Sequence, residues 1–155
     1  MAAPFFSKYR HNQLPRSRLP LVLYVTSIVF SALLFYWSGF YCRYNRCSES
    51  VVWPEKNRQY AQYFPILTAP LIALISLAWL VTNIFYTNTP CALAYNCMEM
   101  PSAVFCSLLA GISAVIEIHY SIDFNNLEWS QKWSWAAADS VALCFIHAVL
   151  AFALQ

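Results

Sequence analysis

The chain has 155 residues, of which 60% are hydrophobic, 17% aromatic and only 10% charged. A soluble domain is normally near 25% charged, so a water-facing globule is disfavoured. A net charge of +2 is also too small to draw nucleic acid as a partner.

Residues 1–18 form a polar arm with Lys8, Arg10, Arg16 and Arg18, and no Asp or Glu occurs before Glu49. No basic amphipathic helix accompanies these charges. A plasma-membrane or endomembrane address is therefore favoured, with an organelle inner membrane as the alternative. The first apolar run, "LPLVLYVTSIVFSALLFYWSGFY", extends from Leu19 to Tyr41. It outlasts the 7–15-residue core of a signal peptide and carries no small-x-small cleavage site, so it reads as an uncleaved first span. Pro20 sits in its first turn, where a missing amide costs nothing.

Cys42 to Gln62 is the largest loop. A second run follows from Tyr63 to Tyr86, with Pro65 early and Pro70 deeper, where it removes a backbone hydrogen bond. Thr87 to Met100 reads as a second loop, punctuated by Pro90 and Pro101. The third run is "PSAVFCSLLAGISAVIEIHYSI", Pro101 to Ile122. A short turn from Asp123 to Gln131 then makes the last two helices antiparallel neighbours. The fourth run is "WSWAAADSVALCFIHAVLAFALQ", from Trp133.

Each run approximates the 20 or so residues that cross a hydrocarbon core of roughly 30 Å. The expected fold is one all-α membrane domain: a four-helix tetraspan bundle with short loops and spans at about 19–41, 63–86, 101–122 and 133–154. Tyr36, Trp37, Tyr41, Tyr63, Tyr86, Tyr120, Trp129, Trp133 and Trp135 collect near the span ends, as in an aromatic belt. Four crossings put both termini on one side. That side carries four basic residues, against Arg43, Arg46, Lys56, Arg58 and Lys132 on the other. The compact leading charges favour cytoplasmic termini.

With that topology Cys42 and Cys47 are the candidate disulfide, closing a small loop after the first span. In the inverse topology the role passes to Cys91 and Cys97. The two pairs lie on opposite sides, which forbids a shared four-cysteine metal site, so neither metal nor cofactor is expected. Cys106 and Cys144 read as packed small residues. No Asn-x-Ser/Thr acceptor occurs.

The informative residues are the polar ones inside the runs: Glu117, Asp139, His119 and His147. Glu117 and Asp139 each lie about 7–9 Å inside their helix ends. The short turn brings them to similar depth on adjacent helices, facing each other or a subunit interface and able to share a proton. Charged groups at such depth are costly and point into a bundle or wet cavity. His119 lies about 200° around the helix from Glu117, whereas His147 lies nearer mid-membrane. Ala103, Ser107 and Gly111 recur every four residues, as do Ala136 and Ser140, giving small-xxx-small faces for a close helix neighbour.

Four spans, cytoplasmic termini and short loops resemble the plan of small tetraspan proteins of the MARVEL type, a resemblance of topology. The expected role is non-enzymatic: a scaffold, trafficking factor or accessory subunit, in contact with membrane lipid and with other transmembrane proteins or copies of itself. The alternative is a small transporter or channel moving protons or small ions through a polar site near Glu117 and Asp139.

Overall fold

A computed structural model describes residues 18–39, 60–85, 90–123 and 130–154, with residues 90–97 and 130 described by backbone alone. Four helices form an all-α bundle: α1 (Leu19–Gly39), α2 (Tyr63–Phe85, entered through a 3-10 turn at Tyr60–Gln62), α3 (Pro90–Asp123) and α4 (Ser130–Ala153). All four contain stretches long and apolar enough to cross a membrane. The chain is an integral multi-pass membrane protein.

The helices run up and down around a square. The extensive contacts are α1 with α2, α2 with α3, α3 with α4, and α4 back to α1. The register follows from individual contacts. Ser27 meets Ser76 and Ser107 meets Cys144, each pair on antiparallel neighbours. Across the diagonal, Tyr24 and Ser38 of α1 reach Glu99 and Glu117 of α3, which runs parallel to it.

One element differs from the sequence expectation. The segment from Pro90 to Met100 is the first part of α3, not loop. Pro90 fits a first helical position, where its missing amide would be unpaired in any case. The following "CALAYNCMEM" is rich in good helix formers. Pro101 then falls inside the helix and deletes one backbone bond, to the carbonyl four residues earlier. The same extension closes the alternative cysteine pairing. Cys91 and Cys97 stand six residues apart on one helix, about 9 Å along its axis, beyond the roughly 7 Å a disulfide spans between Cα atoms. The bridge expected between Cys42 and Cys47 has no support in the structure. Both lie outside the described residues, and the described cysteines, Cys106 and Cys144, are free thiols.

The bundle is apolar outside and mixed inside. Leu67, Leu74, Phe85, Leu108, Val115, Phe145 and Phe152 are among the exposed large side chains, as hydrocarbon solvent permits. Inside, Leu34, Ala69, Ile72, Cys106, Ala110, Ala136 and Leu143 form a central apolar layer. Tyr24, Ala103, Leu150 and Ala151 form a second cluster nearer one end.

Both glycines of the chain lie at helix contacts. A Cβ placed on Gly111 would stand 3.7 Å from Cys144 Sγ, and one on Gly39 3.5 Å from Ile66 Cγ1. These are ordinary contact distances, so alanine fits and larger side chains do not. Gly111→Ala should therefore leave stability nearly unchanged. Gly111→Leu should cost about 1–3 kcal/mol through overpacking at the α3–α4 seam. Equilibrium unfolding in mixed micelles measures both; equal stability of the two variants would contradict the seam.

Candidate functional site

Three of the chain's seven acidic residues, Glu99, Glu117 and Asp139, are buried in the bundle together with His147. Lipid offers their polar atoms no partner, so a lipid-facing position would be costly and the interior is favoured.

Glu117 is fully buried at 0% exposure. Ser38 Oγ on α1 donates to its Oε1 at 2.7 Å. Gln62, the residue preceding α2, reaches both carboxylate oxygens through Nε2 at 3.4 Å, a longer and weaker contact. Glu99 is 1% exposed. It accepts Tyr24 Oη–H of α1 at 2.8 Å and Asn83 Nδ2–H of α2 at 2.9 Å, both on Oε1. The two sites share one plan: a carboxylate from α3, a hydroxyl from α1, and a carboxamide from α2 or the turn before it. Glu99 and Glu117 are eighteen residues apart, five helical turns, so they project from the same face about 27 Å from one another.

Between these carboxylates Ser27 Oγ lies 2.9 Å from Ser76 Oγ and 2.8 Å from His147 Nε2, joining α1, α2 and α4. A hydroxyl has one proton to donate and two lone pairs. With Nε2 unprotonated Ser27 donates to it and accepts from Ser76; with Nε2–H the ring donates to Ser27, and either serine donates to the other. His147 Nδ1 has no partner and is buried. Ser31 Oγ, Ser140 Oγ and Asp139 Oδ2 are likewise buried and unpartnered. On α1 Leu34 falls between Ser27 and Ser38, and on α2 Ile72 falls between Ser76 and Gln62, so an apolar layer that also holds Cys106 and Leu143 separates the His147 chain from the Glu117 site.

Asp139 and Glu117 lie in the bundle but do not bond one another; the hydrogen bonds of Glu117 go to Ser38 and Gln62. The helical wheel explains this. On α4, Trp133 and Cys144 mark the flank turned to α3, through Tyr120 and Ser107 respectively. Asp139 projects about 120–140° away from them, on the flank of Lys132, which lies over the Trp37 ring of α1 at 4.6 Å. His119 stands outside the site. It is exposed on α3, with Nδ1 3.3 Å from Asp123 Oδ2.

The small residues serve contacts within the bundle. Ala103 packs in the cluster of Tyr24 and Leu150, Ser107 Oγ donates to the Cys144 carbonyl at 3.0 Å, and Gly111 lies against Cys144. Ala136 is part of the central layer, and Ser140 is fully buried. Among the described residues no group of three His, Cys, Asp or Glu side chains converges as a metal site requires.

Glu99 was not among the sequence candidates, since the segment around it reads as loop. A signal was present nevertheless: its spacing of eighteen from Glu117 places both on one helical face. The chain matches no protein-family model, no curated protein and no solved structure.

Replacing Glu117 by Leu strands the donors of Ser38 and Gln62, whereas Gln keeps the shape and an acceptor. Glu117→Leu should lower stability by about 1–3 kcal/mol, and Glu117→Gln by clearly less. Mixed-micelle unfolding of both variants checks the difference. An unchanged Glu117→Leu protein would show that these bonds contribute nothing to the fold.

Proposed function

We propose that the bundle passes protons or small cations across the membrane through its polar interior. The observation that carries this reading is the state of two buried carboxylates. Glu117 is met by the neutral donors Ser38 and Gln62, and Asp139 Oδ2 has no partner. Among the described residues no Lys or Arg is buried with them, and the His119–Asp123 pair is external. A carboxylate in such surroundings needs a proton or a mobile cation to balance its charge. Intramembrane acids and histidines of this kind mark ion pathways and proton relays.

The arrangement suits stepwise passage. Glu99 and Glu117 stand toward opposite ends, and the His147–Ser27–Ser76 chain and Asp139 lie between them. The layer around Leu34, Ile72 and Leu143 acts as an apolar constriction that closes the path until it wets. A scaffold or accessory-subunit role draws on the same bundle and treats the internal bonds as helix glue. It gives no task to the buried, unpartnered Asp139 Oδ2, and for that reason it ranks second.

Purified protein in liposomes carrying a pH-sensitive dye, with sodium- and potassium-gradient arms, tests the proposal. The native protein should raise proton or cation flux above that of empty liposomes. Asp139→Asn and Glu117→Gln should each lower it at least tenfold while the helical content is kept. Leu143→Ser, which admits water to the constriction, should raise it. His119→Ala, on the exterior, should leave it unchanged. Native flux no greater than that of empty liposomes would overturn the proposal and leave the scaffold role standing.

A further inference from the structure

The two carboxylate sites of α3 share a plan but not a geometry. At Glu99 the carboxamide and the hydroxyl both close on one oxygen, Asn83 Nδ2 at 2.9 Å and Tyr24 Oη at 2.8 Å. At Glu117 only the hydroxyl does so, with Ser38 Oγ 2.7 Å from Oε1. The Gln62 carboxamide stands back, with Nε2 3.4 Å from both Oε1 and Oε2. It sits on the midline of the carboxylate, about 0.5 Å beyond the usual N–H···O distance. Gln62 Oε1, on the same planar head, is buried without a partner, in a side chain that is fully buried.

Half a turn about its last side-chain bond exchanges the oxygen and nitrogen of a glutamine with little change in shape. At Gln62 that rotation sets a carbonyl oxygen 3.4 Å from each carboxylate oxygen. Oxygens so placed repel one another unless a cation lies between them. Oxygens 3.4 Å apart that subtend a right angle at an ion lie about 2.4 Å from it. This falls within the range of roughly 2.3–2.6 Å of a calcium-sized ion and beyond the roughly 2.0–2.1 Å of magnesium. Ser38 Oγ donates its one proton to Oε1 and keeps its lone pairs for an ion. Both oxygens of Glu117, Ser38 Oγ and Gln62 Oε1 can thus serve one ion, with water completing the shell.

Charge decides between ions of that size. The hydrogen-bond partners of Glu117 are neutral, so its carboxylate balances a single positive charge. A monovalent ion leaves the buried site neutral, whereas a divalent one leaves a net charge that the interior penalises. Sodium has nearly the radius of calcium and half its charge. We infer that Glu117, Gln62 and Ser38 form a sodium site, on one side of the apolar layer of Leu34 and Ile72. The inference rests on the transport reading for the ion's route to a buried position, and it names the ion.

The test is binding of radioactive sodium by the full chain in detergent, at constant ionic strength balanced with choline. The native protein should bind one sodium ion per chain, with potassium and calcium each at least tenfold weaker as competitors. Glu117→Gln should remove binding, and Gln62→Leu should weaken it at least tenfold with helicity unchanged. His119→Ala, on the exterior, should bind as the native chain does. A hydrophobic carbodiimide gives a readout that needs no variant, because it modifies carboxyl groups within membranes and a bound ion shields them. Sodium should slow labelling of Glu117 at least fivefold, mapped by mass spectrometry, and potassium should not. Native protein without saturable sodium binding, equal protection by potassium, or native affinity in a folded Gln62→Leu protein overturns the site. The liposome flux assay separates this outcome from failure of the transport reading. Proton flux without sodium binding overturns the sodium site and leaves the pathway. Sodium bound without flux of any ion keeps the site, as the seat of a resident ion, and removes the pathway.

Discussion

Hydrocarbon donates and accepts no hydrogen bonds, and most of this structure follows from that constraint. In water, Ser, Asn, Gln and Glu drift outward and leucine inward. Here the solvent rewards nothing for burying leucine, while every polar atom facing lipid loses its partner. The described helices accordingly carry Leu, Val and Phe outside and gather Tyr24, Ser38, Gln62, Asn83, Glu99 and Glu117 within. Helix association then rests on close packing, as at Gly111 against Cys144, and on hydrogen bonds between helices. The bonds that join α1 and α2 to α3 across the interior end on two side chains of one helix, Glu99 and Glu117.

This division of labour separates the helices. α3 supplies two carboxylates, α1 the hydroxyls that answer them, and α2 with its preceding turn the carboxamides. The hydrogen bonds described at the two clusters involve no α4 side chain. α4 brings Asp139, whose Oδ2 is unpartnered, and His147, whose ring is bonded on one side only. Unpartnered buried atoms occur within the two carboxylate sites, at Gln62 Oε1 and Asn83 Oδ1, and a second set, on Ser31, Asp139, Ser140 and His147, lies between them. A bundle built solely for cohesion gains nothing from that second set, because each unpartnered buried atom costs free energy that an alanine or leucine would not.

The spans were legible because length and apolarity are properties of the chain itself. That Glu117 and Asp139 turn inward was also legible, since the cost of charge in lipid is a one-residue argument. Their partners were not, because a partner depends on helix azimuth and on which neighbours flank which face. Asp139 lies about one helical turn inward of Glu117 and projects toward α1, and the turn length that brings them close in depth says nothing about rotation. Gln62 read as the end of a loop, although it caps the Glu117 site from the turn before α2. Glu99 was hidden by two prolines that bracket a polar segment. Pro90 starts the helix and Pro101 lies within it, so neither marks the boundary that prolines often mark.

The placement of Glu99 and Glu117 on one azimuth of one helix has a mechanical side. A rod with two arms on the same line transmits torsion: whatever turns one arm turns the other, in the same sense and by the same angle. A roll of α3 by about 20° would carry a side-chain tip about 6 Å from the axis through about 2 Å, enough to pull either carboxylate out of hydrogen-bond range of its α1 hydroxyl. A roll of α3 would thereby disturb both carboxylate clusters together. α3 can serve as a camshaft for the bundle, and the close fit of Gly111 against α4 is the bearing on which it would turn.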